Sequence, residues 1–271
     1  MSPSTEQWTG FYTQMKRKSG LDLTLYKQDQ LQRRILSMLE ARGAQDLEGF
    51  WRIVGSTEKD LQWFMDKLAI NVSELFRNPE KWSEIEKLVI PDLLKRTTRL
   101  KCWSAGCSYG AEAHTLAAIL DLNFPGGHQI IGSDIDQAAL DQANAGEFSE
   151  ADLRFMPDRY KQKYFERSGA GWRTVPTLKK YLTFKRGDLL GDRFDSGFDL
   201  IMCRNVVIYF TDAAKEELYR KFYAALKPGG CMFVGSTERI FSAKEIGFTT
   251  TIPFFYQKPM EGKTQQWRNA S

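Results

Sequence analysis

The residues of this chain that could do chemistry collect where short apolar runs stop. Gly106 and Gly110 bracket Cys107-Ser108-Tyr109 after the run at 100–104, and Glu112 follows at once. Asp134 and Asp136 follow the run at 129–133. Asp188-Leu189 close another strand-like stretch, and Arg204-Asn205 close the run at 198–203, with Tyr209 just beyond. Polar groups at the ends of apolar strands can hold a ligand along the edge of an open α/β sheet. Asp134 comes roughly 20 residues after the glycine loop, where an acid holds a ribose in dinucleotide-binding folds. Either Asp134 or Asp136 could instead cap the helix that follows, with one acid in each role. Upstream, Asn71, Ser73 and Arg77 are spaced so that two or three could point into one cleft; a helix cap plus a surface arginine is the simpler alternative. Only two histidines exist, His114 and His128, so a histidine base would have to be one of them. The four cysteines form no CxxC pair and fall mainly in apolar runs, which predicts buried reduced thiols rather than metal ligands or disulfides.

The elements that must carry these groups come in two styles. Residues 1–75 read as an all-helical domain. In the segment 21–43, Asp29 lies near a helix start and Gly43 where the helix would stop. Leu31, Ile35, Met38 and Leu39 share one side at helical spacing; Gln30, Arg33, Arg34 and Ser37 share another, with Lys27 adjoining. That basic stripe is either a solvated face or a docking surface for an acidic helix. Further helices are expected at 47–54 and 58–68, and a linker helix within 76–98, over 82–94.

From residue 99 to 258 strands and helices alternate, the pattern of a mostly parallel sheet. A strand at 100–104, the glycine loop and a helix with Ala113, Leu116, Ala117 and Leu120 on one face open it. A helix follows at 137–145. The run at 198–203 is apolar throughout, as expected of a central parallel strand. Residues 169–184 are rich in turn and β-formers and predict a small β-excursion outside the sheet. A helix at 212–226 ends in Lys227-Pro228-Gly229-Gly230, a strand follows at 231–235, and residues 250–257 form a last, antiparallel edge strand. Residues 259–271 read as a polar tail.

Composition bounds the function. Hydrophobic residues make up 42% and charged residues 27% of 271, as in ordinary globular proteins. No apolar run reaches the ~20 residues that cross a bilayer, and the first residues lack the pattern of a signal peptide. A cytoplasmic protein without membrane insertion is expected. A net charge of +4 is too mild to imply nucleic acid. The full GxGxxG spacing of a nicotinamide dehydrogenase is absent.

The ordered motifs resemble the class I S-adenosylmethionine (SAM) methyltransferases and, more narrowly, the chemotaxis receptor methyltransferases, the CheR-type protein-glutamate O-methyltransferases. The resemblance rests on NVSELFR at 71–77, WSAGCSYGAE at 103–112, SDID at 133–136, FKRGDLL at 184–190, FDLIMCRNVVIYF at 198–210, ALKPGG at 225–230 and GSTE at 235–238. It implies a Rossmann-like doubly wound SAM-methyltransferase sheet behind a helical receptor-recognition domain, with a small antiparallel β-subdomain inserted. It implies that SAM contacts Asn71, Ser73, Arg77, Glu112, Asp134, Asp188, Leu189, Arg204 and Asn205, and leaves as S-adenosylhomocysteine. Tyr209 matches the tyrosine near the transferred methyl, and Arg77 would pair with a carboxylate of cofactor or substrate. The implied substrate is a glutamate on the acidic methylation helices of chemoreceptors, which gives Lys27, Arg33 and Arg34 a partner; a monomer is implied. The family's usual GEEPYS reads Gly110-Ala111-Glu112-Ala113-His114-Thr115 here, with His114 in the tyrosine's place. That departure motivates an alternative reading as a SAM-binding module with weak or lost turnover. A small-molecule methyltransferase is a further alternative.

Overall fold

The computed structural model describes residues 3–68, 73–236 and 238–260. Four helices open the chain: α1 (Thr5–Ser19), α2 (Gln28–Ala41), α3 (Leu47–Val54) and α4 (Glu58–Leu68). Ser4 starts α1 with a reciprocal capping box to Gln7, and Asp46 caps α3 through Gly49 N (2.7 Å). Their apolar faces meet in one core. Phe11 stacks on Phe50 at 5.9 Å and meets Phe64 edge-on at 5.9 Å, and Ile35 of α2 is fully buried among them.

The next helical run is α5 (Pro79–Glu84), a π-turn (Ile85–Val89) and α6 (Ile90–Leu94). The wide turn lies just before Pro91, whose ring removes a backbone donor and displaces the preceding turn. This run is not a linker between two bodies. Trp82, Ile85, Val89 and Leu93 are buried in the same core as Leu116 and Leu200 of the second domain.

The second domain contains β1 (Lys101–Ala105), α7 (Ala111–Asn123), β2 (Gln129–Asp134), α8 (Gln137–Ala145), β3 (Glu147–Phe148), α9 (Asp158–Tyr164), β4 (Phe165–Ser168), β5 (Gly171–Thr174), α10 (Pro176–Lys179), β6 (Leu182–Arg186), β7 (Phe198–Cys203), α11 (Asp212–Ala225), β8 (Leu226–Val234), α12 (Ala243–Ile246), β9 (Thr249–Ile252) and β10 (Phe255–Gln257). The main sheet has the order β6-β2-β1-β7-β8-β10-β9. Its first five strands are parallel and its last two antiparallel. Every residue of β7 is buried. Leu116 and Ile119 of α7 cover one face, Leu218 and Phe222 of α11 the other. The C-terminal ends of the parallel strands therefore converge on one edge, where the polar residues lie.

Three expectations are corrected. The antiparallel excursion is not confined to 169–184: its sheet has the order β3-β5-β4 and draws on 147–148 and 165–174, while 176–179 turn helically into β6. The last strand, 250–257, is a hairpin, β9 and β10. The segment 227–230 bulges within β8, where the register with β7 jumps from Phe198↔Leu226 to Leu200↔Cys231. All four cysteines are buried and free. Among the described residues no helix is long and apolar enough to cross a membrane.

The two domains meet along α4, where Arg186 Nη2 lies 3.3 Å from Met65 Sδ and Ile135 packs against the helical core, and at a second seam before α2. Lys27 N donates to Tyr209 O (2.9 Å), and Thr211 N donates to Leu25 O (2.9 Å). Between them Tyr26 meets Phe210 edge-on, with ring centres 5.2 Å apart. This seats α2 over the C-terminal edge of the sheet.

Candidate active site

A cleft of about 700 Å³ lies between that edge and α2. This is the size range of small-molecule and cofactor sites.

Its floor is the loop after β1. Gly106 N and Cys107 N both donate to Ser133 O, at 2.8 and 2.9 Å. Gly106 has φ +74°, and a Cβ there would stand 2.5 Å from Val206 Cγ2, so only glycine lets the loop lie this close to the 204–206 turn. Ser108 N donates to Asp134 Oδ2 (2.7 Å), and Asp136 N donates to Asp134 Oδ1 (3.0 Å). The two acids divide the roles: Asp136 Oδ1 caps α8 through Ala139 N (2.9 Å), while Asp134 stays in the cleft wall. Burial pushes the carboxyl of Asp134 up, and backbone N–H groups hold it down in part.

Glu112 enters from the first turn of α7. Ser104 Oγ donates to its Oε1 (2.7 Å), and Arg204 Nη1 lies 3.4 Å from Oε2. Arg204 Nη2 donates to Asn78 Oδ1 (2.7 Å) and Arg77 O (3.1 Å). The Arg204 side chain is 5% exposed and lies over the Phe233 ring. Arg204 is thus a buried strut tying β7 to α7 and to the 77–78 segment, as well as a cleft residue. That segment is strained: Phe76 and Asn78 have φ of +56° and +61°. It is held by Phe76 N to Thr115 Oγ1 (3.0 Å), by Leu75 N to Asp152 O (3.0 Å) and by the Tyr109 hydroxyl on Ser73 O. Ser73 and Arg77 consequently line the cleft. Asn71 lies outside the described residues.

On the far wall, Asp188 Oδ1 accepts from Leu190 N (2.9 Å) and Leu189 is buried. Burial raises the carboxyl of Asp188. Tyr26 also lines the cleft, near Asp188 and Asp134; burial first, then these two acids, push its phenol far up. No motif marks Tyr26, because it reaches the cleft from the other domain. Tyr209 ends a short 3-10 turn, Val207–Tyr209. Burial raises its phenol while Arg34 and Arg77 pull it down, so it is a neutral donor near pH 7.

The basic stripe of α2 is neither a purely solvated face nor a surface apart from the site. Lys27, Arg33 and Arg34 all line the cleft. Arg34 Nε donates to Lys67 O (2.6 Å), which anchors it to the end of α4.

His114 is not in the cleft. It is 1% exposed, packed between Phe148 (5.3 Å) and Phe184 (5.7 Å), with Nε2 on Ala143 O (3.0 Å) and Nδ1 unpartnered. Burial pushes its pKa down to about 4. The neutral ring is favoured in the fold, so its stabilisation is complete above the unfolded value near 6.5 and is lost as pH falls towards 4. Between pH 7 and pH 5 this amounts to about 2 kcal/mol. His114→Phe is expected to flatten the fall in unfolding temperature over that interval; an unchanged pH profile would refute the assignment.

The comparisons with known proteins agree with this geometry. Residues 71–252 match the family described as CheR methyltransferase, SAM binding domain, and residues 7–69 match CheR methyltransferase, all-alpha domain. A chemotaxis protein methyltransferase of Listeria innocua is 37% identical over 261 residues, 95% of this chain and 100% of that protein. Chemotaxis protein methyltransferase 1 of Pseudomonas aeruginosa is 28% identical, over 89% of this chain and 92% of its own. The chemotaxis protein methyltransferase of Escherichia coli is 29% identical, over 86% and 84%. The cofactor of the domain is SAM. The cleft fits it: the cradle at Gly106 would be filled by a Cβ, and Glu112, Asp134 and Asp188 offer carboxylates to a cationic, hydroxyl-bearing molecule. With both domain matches adjoining and the sheet, glycine loop and strand-end acids in place, the chain belongs to the CheR methyltransferase family.

Proposed function

We propose that the protein methylates glutamate side chains on the cytoplasmic helices of chemoreceptors, forming methyl esters in chemotactic adaptation. The observation that supports this most is the setting of Tyr209. Arg34 and Arg77 both act on it electrostatically, while both histidines lie away from the cleft, His114 on the side of α7 that faces Phe148 and Phe184 and His128 with its Nε2 on Phe124 O. A glutamate carboxylate has an ordinary pKa near ~4.3 and is already a nucleophile at neutral pH. It needs cations and a hydrogen bond to align it, and no base.

SAM supplies an electrophilic methyl on a sulfonium. Glu112, Asp134 and Asp188 would face its charge and hydroxyls, with Asn71, Ser73, Leu189, Arg204 and Asn205 completing the contacts. Arg77 would hold a carboxylate, and Tyr209 would orient the acceptor oxygen. Lys27, Arg33 and Arg34, exposed or half-exposed at the cleft mouth, would steer an acidic helix towards it. The protein would work in the cytoplasm as a monomer.

The test is transfer of labelled methyl from SAM to a purified receptor cytoplasmic fragment. Base-labile label on glutamate is expected. SAM binding without transfer, or base-stable label, would overturn the proposal. Tyr209→Phe is expected to slow transfer about tenfold at saturating SAM, equivalent to ~1.4 kcal/mol in the barrier, with SAM affinity within about twofold. Equal rates in the two proteins would remove the tyrosine's role.

A further inference from the structure

Glu238 stands behind the cleft wall, in the loop after β8. It is 4% exposed. Its Oε2 accepts from Asn205 N (2.8 Å) and Gly235 N (2.7 Å). Its own N–H donates to Gly235 O (2.8 Å), closing the loop on itself. A Cβ at Gly235 would stand 2.3 Å from Oε2, so glycine is what lets the carboxylate reach under the turn. Asn205 is held at φ +60°, a conformation that an ordinary residue keeps only when its surroundings enforce it. On the opposite side Val206 packs against Gly106. The 205–206 turn is therefore gripped between the glycine loop and one buried carboxylate.

The turn passes its position on. Tyr209 N donates to Val206 O (3.3 Å), and Tyr209 O accepts from Lys27 N (2.9 Å). Arg204, one residue before, carries the strut to Glu112. A shift at Asn205 would move the tyrosine, the strut and the start of α2 together.

We infer that Glu238 is a positioning residue for methyl transfer: its carboxylate sets the 204–206 turn and, through it, the place of Tyr209 in the cleft. The inference rests on the reading of Tyr209 as the residue that orients the acceptor. Buried backbone N–H groups need an acceptor at a set distance. Aspartate keeps the charge and withdraws the acceptor by one methylene. Glutamine keeps the reach and offers its carbonyl to the same N–H groups.

Two variants and two readouts test it. In Glu238→Asp, amide exchange at 204–209 in the ligand-free protein is expected to quicken at least about tenfold. Its kcat on the receptor fragment should fall about tenfold, with SAM affinity within about threefold. Glu238→Gln should stay within about threefold of wild type in both exchange and kcat. Unchanged exchange in Glu238→Asp would overturn the inference. So would faster exchange with wild-type kcat, or a parallel loss of kcat and SAM affinity, or a Gln variant as impaired as the Asp variant. A wild-type protein that transfers no methyl to the fragment would instead overturn the proposed function, and the exchange result would still report whether Glu238 holds the turn.

Discussion

Replacing Arg204 by leucine is expected to lower the unfolding temperature by roughly 6–20 °C and to abolish measurable SAM binding. The reason is the isolation of the groups that it serves. Glu112, whose side chain is 11% exposed, would keep Ser104 Oγ but lose its cation. Asn78 Oδ1 and Arg77 O would lose a donor in a segment already held in left-handed backbone. Removing one partner of a buried ion pair costs about 3–5 kcal/mol, because the other charge remains buried. For a chain of this size each kcal/mol is worth about 2–4 °C. Glu112→Met on top of Arg204→Leu removes the stranded charge, so the double variant should regain part of the temperature and none of the SAM affinity. Thermal unfolding and calorimetry on the four proteins of the cycle check this. If Arg204→Leu unfolds within 2 °C of wild type, by the same conversion, the strut is not structural.

Gly106→Ala is the second large effect. The left-handed backbone costs alanine about 1–2 kcal/mol, and its methyl would stand 2.5 Å from Val206 Cγ2. Either the glycine loop or the 204–206 turn must retreat, and the cleft floor moves with it. SAM affinity is expected to fall at least about tenfold. Val206→Ala added to Gly106→Ala should restore part of it, since the clash goes and the backbone strain stays. Gly10 supplies the control. It lies within α1 and an added Cβ there meets nothing within 4 Å, so Gly10→Ala should stabilise by about 0.5–1 kcal/mol and leave SAM affinity alone. A Gly106→Ala protein that binds SAM like wild type would show that the loop does not set the cleft floor.

Much of the cleft was legible in the order of residues. Parallel strands put their C-terminal ends on one edge, so Glu112, Asp134, Asp188 and Arg204-Asn205 had to gather there once the alternation of strands and helices was read. The helices at 47–54, 58–68 and 137–145 stand where their apolar periodicity and caps put them. The misses share one cause. A helical period tells which face of 79–94 is buried but not against what, and that core proved to be the sheet domain's. A two-residue strand such as Glu147–Phe148 has no period to read; it exists because β5 lies beside it. Glu238 stood in the sequence only as the last letter of GSTE, with no role attached, because its work is done on backbone N–H groups that have no letter of their own.

The sequence by itself determined the class of protein, through motifs spread from 71 to 238, and placed most of the side chains on the cleft edge, because each stands at the end of its own strand. Only the tertiary structure decided that the basic stripe of α2 is a wall of the same cleft. That outcome rests in part on two backbone hydrogen bonds and one aromatic contact, at Leu25, Tyr26 and Lys27 against 209–211. These pair residues more than 180 positions apart, and neither periodicity nor spacing along a chain can register such a pairing.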